Sequence, residues 1–155
     1  MGITWGEKNT FQKHSLWERS SHVPLVIAAP TVKPRQRCDR VVSLLDIYPT
    51  LVEMAGLRAN PTDEGRSLVP LLTEPTQAWP YPAITGRQEN SFAVQTETHR
   101  SIRYGDGGEE LYDHRIDPHE WHNCAAGDVG PADRDVIERL RSSLPQSPPA
   151  VRAAP

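Results

Sequence analysis

The densest collection of side chains able to bind a metal or move a proton is Asp113-His114, Asp117, His119-Glu120 and His122, all within ten residues. Imidazole and carboxylate are ligand types that zinc accepts, and imidazole is also the usual proton carrier near neutral pH. The spacing argues against a metal centre. His119 and His122 are three residues apart, but Pro118 interrupts the stretch, so nothing holds both on one helical face. The cluster therefore reads as a structural loop. His14 and His22 stand alone and read as surface or capping groups. Cys38 and Cys124 have no neighbouring thiol, which excludes a Cys-x-x-Cys zinc site and a disulfide framework. The sequence contains no Gly-x-Ser-x-Gly elbow, phosphate-binding loop, zinc-protease helix or dinucleotide-binding glycine turn. Residue types and spacing alone announce no reaction.

The elements that must position these groups are a mixture. Val23-Pro24-Leu25-Val26-Ile27-Ala28-Ala29 is a continuous apolar run closed by Pro30. That is the pattern of a strand buried on both faces, with Pro24 tolerated only at its start. Asp46 as N-cap, Pro49 in the first turn and an apolar face of Leu51, Met54 and Ala55 predict a helix that Gly56 ends. Residues 67–72 predict one further helical turn, and Pro75, Pro80 and Pro82 an irregular connection. From Ile84 onward the period is two. Residues 92–96, 101–104 and 109–113 predict a small antiparallel sheet of three or four strands, with Gly105-Asp106-Gly107-Gly108 turning between the last two. Val136, Ile137 and Leu140 give a helix over 133–144 its packing face, and the proline-rich tail from Pro145 is expected to be disordered.

Composition sets the limits. Of 155 residues 37% are hydrophobic, and Leu, Ile, Val and Phe number 32, close to the ~20% level at which chains fail to bury a core. The 15 prolines are about twice the usual share. No apolar stretch approaches the ~18 residues of a membrane span. A net charge of −3 with scattered basic residues excludes a nucleic-acid footprint; Lys33-Pro34-Arg35-Gln36-Arg37 is the one cluster and reads as a solvated loop. A thin core with a lone buried strand predicts that part of the core is supplied from elsewhere. The opening residues, Met1 to Gly6, read as the middle of a protein.

Four blocks carry a family resemblance. Gly6-Glu7-Lys8, Lys13, Leu16-Trp17-Glu18 and Val23-Pro24-Leu25 resemble the segment that follows the last metal-binding motif of type I sulfatases. Leu45-Asp46-Ile47-Tyr48-Pro49-Thr50-Leu51 is similar to their Asp-x-x-Pro-Thr-Leu helix, and Gly65-Arg66-Ser67-Leu68-Val69-Pro70-Leu71-Leu72 to their Gly-Arg-Ser-Leu-x-Pro-Leu-Leu block. Ile102-Arg103-Tyr104, Glu110-Leu111-Tyr112-Asp113 and Asp117-Pro118-His119-Glu120-Trp121-His122-Asn123 resemble their C-terminal sheet and Asp-Pro turn. The blocks stand in family order over about residues 2–126, nearest to iduronate-2-sulfatase-like members.

The resemblance implies an α/β fold class: the C-terminal part of an alkaline-phosphatase-like sulfatase fold, ending in a small antiparallel sheet packed with a C-terminal helix. Residues 1–72 would end the large domain, 73–83 connect, 84–144 form the small subdomain and 145–155 the tail. In this family a Cys or Ser in Cys/Ser-x-Pro/Ala-x-Arg becomes formylglycine, whose hydrate attacks the sulfate, while a calcium ion and fixed cations meet the growing charge. Cys38 precedes Asp39-Arg40-Val41 and Cys124 precedes Ala125-Ala126-Gly127, so neither is that precursor. Met1 stands where the late metal motif would place His or Asn. Lys13 alone sits where the family places a substrate-binding lysine, an ammonium suited to a tetrahedral anion. The expectation is a sulfuric ester hydrolase fragment, inactive by itself and without catalytic residues or metal ligands of its own. Its complete parent would use calcium and formylglycine on a sulfated small molecule or glycan, and the upstream segment would complete its core. Relatives are commonly exported, periplasmic or lysosomal. The alternatives are a non-catalytic remnant binding sulfated glycans or a partner, and a fragment of a related phosphonate or phosphodiester hydrolase. His99 and Ser101 stand where many relatives carry aromatic residues, and Cys124 where they carry leucine.

Overall fold

The computed structural model describes Lys8 and residues 14–30, 32–87 and 90–144. In chain order the elements are α1 (Glu18–Ser21), a 3-10 turn (Leu44–Asp46), α2 (Ile47–Met54), α3 (Val69–Thr73), β1 (Ala83–Arg87), β2 (Ser91–Gln95), β3 (His99–Arg103), β4 (Glu109–Asp113) and α4 (Pro131–Arg141). The chain divides into two units, Met1–Val23 with Ile84–Pro155, and Pro24–Ala83. The expected tail at 145–155 lies outside the described residues.

The first unit is built on a four-stranded sheet in the order β1-β2-β3-β4, the antiparallel meander that the period-two pattern predicts. Its register pairs Ala93 with Ile102, Arg100 with Tyr112 and Ser101 with Leu111. Because side chains alternate across a strand, this register sends Ala93, Arg100, Ile102, Glu110 and Tyr112 to one face and Val94, Ser101 and Leu111 to the other. Each face has its own core. Leu16 joins Ala93, Ile102 and Tyr112 on the first, with Trp17 and Tyr104 packed against them. Ile137 and Leu140 of α4 join Val94 and Leu111 on the second. Leu111 and Ile102 are completely buried.

Local chemistry explains the boundaries. Between β3 and β4 the Tyr104 N–H donates to the Gly108 carbonyl at 2.8 Å, and Gly107 takes the left-handed φ of +92° that favours glycine. The outer edge of β4 is covered: the Cys124 N–H donates to the Leu111 carbonyl, and the Asn123 side-chain oxygen accepts from the Leu111 N–H at 2.9 Å. Helix α4 starts two residues earlier than periodicity suggests, because Pro131 suits the first turn and needs no N–H partner there. Asp133 in its first turn and Arg139 and Arg141 in its last suit the helix dipole.

In the second unit, Asp46 stands at the N-cap position of α2, as expected, and Ser43 caps the 3-10 turn before it. The Ser43 side chain accepts from the Leu45 N–H, and the Asp46 carboxylate accepts from the Ser43 N–H at 2.8 Å, forming a capping box around the 3-10 turn that leads into α2. Asp46 makes no side-chain cap bond to α2, because its carboxylate is turned to the Ser43 N–H and to the Arg66 N–H at 2.8 Å. Gly56 ends α2 at φ +67°, as expected. The buried strand expected over 23–29 does not form, and Val26 is 88% exposed. A strand exists only with a ladder partner, and among the described residues none pairs with this segment.

Candidate functional site

On the first face of the sheet, a buried carboxylate gathers groups from three distant parts of the chain. Glu120, 2% exposed, follows the Asp117-Pro118 turn with a left-handed φ of +60°. One of its oxygens lies 2.9 Å from Arg100 Nε and 2.9 Å from His114 Nε2; the other accepts from the Glu18 N–H at 2.9 Å. Helix α1, which lacks a side-chain N-cap, thus takes its first acceptor from the turn. Arg100, equally buried in β3, also pairs with the Glu18 carboxylate and donates to the Leu16 carbonyl at 2.9 Å. Its Nε contact with Glu120 is an ion pair without hydrogen-bond alignment.

His114 is oriented from behind. Gln95 Nε2 donates to the Thr96 carbonyl at 2.7 Å, which fixes the amide so that Nε2 also faces His114 Nδ1 at 3.2 Å. Nδ1 therefore accepts, and the Nε2–H is aimed at Glu120. A second cluster lies on the same face. Glu110 accepts from Trp17 Nε1 and the Tyr112 hydroxyl, both at 2.7 Å, and from the Tyr104 hydroxyl at 3.1 Å. Burial and the neighbouring Glu110 push both phenols above their ordinary range. The Lys8 ammonium sits 4.0 Å from the Tyr112 ring centroid and 4.7 Å from that of Trp17, and donates to the Tyr112 hydroxyl. Burial lowers its pKa, opposed by Glu110.

Glu18, His114 and Glu120 bring ligand atoms within 4.8 Å of one another, the spacing of a metal site. The positive charge that a metal would bring to them is already supplied by Arg100, which contacts both carboxylates. The set does not fit calcium either, which takes six to eight oxygen ligands. Of the histidine-rich stretch, only His114 and Glu120 meet; His119 and His122 are exposed, and Asp117 accepts from the His122 N–H at 2.7 Å. Cys38 is exposed and its thiol donates to the Pro75 carbonyl, while burial raises the pKa of the Cys124 thiol, so Cys124 is not an activated sulfur. Lys13 lies outside the described residues. Spacing could not find Arg100, paired with Glu120 20 residues away, or Lys8, bonded to Tyr112 104 residues away. Only the strand register, which puts Arg100 on an inward face, signals its role.

Asp113, on the other face, gives a pH signature. The Arg115 side chain beside it holds its carboxyl down to about 2 from the usual 3.8, with contacts of 2.8 and 2.6 Å. A depressed carboxylate stabilises the fold above its unfolded pKa, and that stability is lost as pH falls through the folded value. Urea unfolding is therefore expected to show a loss between about pH 4 and 2, and Asp113→Asn is expected to flatten the curve in that window. An unchanged slope in the variant would show that the pair contributes nothing to folding.

Comparison with known proteins assigns a class to this architecture. A protein from Bacteroides thetaiotaomicron described as a sulfatase superposes with a TM-score of 0.68 at 25% identity, over 86% of this chain and 31% of its own. A protein solved with its substrate D-glucosamine-2-N,6-O-disulfate superposes with a TM-score of 0.73 at 22% identity, over 91% of this chain and 32% of its own. The fold is the C-terminal portion of the alkaline-phosphatase-like sulfatase fold. Among curated relatives, a sulfatase of Formosa agariphila is 39% identical over 94% of this chain, and arylsulfatase K of Xenopus laevis 33% identical over 88%. The chain spans 28% of the length of each. The sequence model for the C-terminal region of N-sulphoglucosamine sulphohydrolase matches residues 6–148, and the chain belongs to that family of sulfatases.

Proposed function

We propose that this chain is the C-terminal part of a sulfuric ester hydrolase acting on sulfated sugars, with Lys13 contributing a cation to the bound sulfate. The family match over residues 6–148 carries the reading. It is supported by the 28% share of the curated relatives that the chain spans, and by the apolar surface of its second unit. There Val26, Leu44, Leu45, Leu51 and Leu57 are 55–88% exposed, a surface suited to burial against the remainder of a large α/β domain. Sulfated amino sugars are the substrate class most in keeping with the structural neighbour that binds D-glucosamine-2-N,6-O-disulfate. Formylglycine and calcium belong, on this reading, to the rest of the enzyme, since no residue set described above suits either. Within the family, the iduronate-2-sulfatase-like branch is the proposed placement from the sequence blocks.

A chimera tests this. The chain replaces the matching 28% of the Formosa agariphila sulfatase. It is expected to keep hydrolysing the sulfate ester that the unmodified enzyme cleaves, and Lys13→Ala is expected to lower turnover by on the order of 10², the effect of removing one donor to a reacting oxyanion. A soluble chimera without turnover would overturn the reading in favour of a glycan-binding remnant. Preference for a phosphonate monoester would overturn it in favour of a phosphonate hydrolase.

A further inference from the structure

Beside the Glu120 network, a cleft of about 210 Å³ opens between α1 and the Asp117-Pro118 turn. Its walls combine three kinds of chemistry. Trp17 and Trp121 supply indole surface, and Trp121 is 57% exposed, a large aromatic left on the surface at the mouth of a cleft. Lys8 and Arg19 supply cations, and the carboxylates of Glu18 and Glu120 line the same cleft. Those carboxylates are held in place by Arg100 and His114, so their positions are set before any ligand arrives. Flat apolar walls alone would suit any planar group, and cations alone any anion. The combination of stacking surface, acceptors for hydroxyl groups and cations for an anionic substituent suits one small-molecule class, a sugar ring carrying a sulfate. The volume is below the ~300 Å³ at which drug-sized pockets begin, which limits the occupant to a single ring.

The geometry points to this cleft as a sugar-binding subsite, in which one sulfated pyranose stacks on Trp121, presents its hydroxyls to Glu18 and directs its sulfate to Arg19 and Lys8. The assignment of the ligand class rests on the proposed sulfated-sugar hydrolase; the cleft itself requires no turnover.

Binding to the full chain is therefore followed directly, by the indole N–H resonances of its tryptophans during titration with D-glucosamine-2-N,6-O-disulfate. The Trp17 and Trp121 signals are expected to shift saturably, with no comparable shift on adding glucosamine. Trp121→Ala is expected to weaken binding about tenfold, the size of one aromatic contact. Because that side chain is largely exposed, its removal leaves the sheet core in place, and retained dispersion of the β2–β4 amide signals shows this. Arg19→Ala, a second surface variant, is expected to reduce the preference for the sulfated over the plain sugar. Absence of shifts at millimolar probe, equal shifts with inorganic sulfate, or binding unchanged in both variants would each overturn the subsite. A failed titration leaves the hydrolase reading standing if the chimera turns over, and an inactive chimera leaves the subsite standing if the indoles shift.

Discussion

Replacing Glu120 by alanine is expected to destabilise the chain by about 3–5 kcal/mol, because it leaves a buried guanidinium with half of its countercharge. Arg100 is 2% exposed and cannot turn to water; its other partners are the Glu18 carboxylate and the Leu16 carbonyl. The same change frees the Glu18 N–H at the start of α1 and the His114 Nε2–H. Two part-buried donors and one buried cation lose the same carboxylate together. At about 2–4 °C per kcal/mol for a chain of this size, the melting temperature should fall by about 10 °C. Relief of the left-handed backbone cannot mask the loss, since alanine is as strained as glutamate at φ +60°. Glu120→Gly does relieve it, by about 1–2 kcal/mol, so the glycine variant should be the less damaged of the two. A cycle with Arg100→Met separates desolvation from attraction. The double variant Arg100→Met, Glu120→Gln removes both buried charges, and its loss should be smaller than the sum of the single losses by about 1–3 kcal/mol. Additive losses in urea unfolding would show that the two side chains do not act as a pair.

This network also marks where sequence reading stops. The sheet was legible because a period of two is a local property: residues 92–96, 101–104 and 109–113 fall on β2, β3 and β4 within two residues at each end. The helix ended by Gly56 was legible for the same reason, since a left-handed C-terminal glycine is a one-residue signal. The run from Val23 to Ala29 failed because apolar content states that a segment is to be buried, not what pairs with it. Among the described residues nothing pairs with it, and Val26 is exposed. Arg100 failed for a different reason. In the alternation His99-Arg100-Ser101-Ile102-Arg103, an inward arginine is expected to be an exposed one until its distant carboxylates are known. Glu18 and Glu120 lie 82 and 20 residues away, and a contact of that range leaves no local pattern. The histidine-rich stretch drew attention for its ligand types, yet its structural weight rests on the glutamate among them.

Gly65→Ala is expected to cost about 3 kcal/mol or more, at the upper end of overpacking, because the new methyl group has nowhere to go. A Cβ at position 65 would stand 2.1 Å from the Leu45 carbonyl oxygen and 2.4 Å from its carbon, both backbone atoms that no rotamer change can move. The Leu45 backbone is held by the capping box at Ser43 and Asp46. Position 65 is held as firmly on its other side. The Arg66 N–H donates to the Asp46 carboxylate at 2.8 Å, and the Leu68 N–H donates at 2.8 Å to the Thr50 hydroxyl, which itself donates to the Asp46 carbonyl. Asp46 and Thr50 are 6% and 1% exposed, so a retreat of residue 65 strands buried polar groups at about 1–3 kcal/mol each. Gly56 is the matched control. Nothing lies within 4 Å of its would-be Cβ, and alanine there meets only the torsional cost of φ +67°, about 1–2 kcal/mol. Urea unfolding should therefore rank Gly65→Ala clearly below Gly56→Ala in stability; equal losses would mean that the 45 and 65 segments separate freely. The mechanism also predicts non-additivity. If alanine at 65 has already pulled Arg66 away from Asp46, then Asp46→Ala in that background has one fewer bond to break, and its further loss should be smaller than in the unaltered chain.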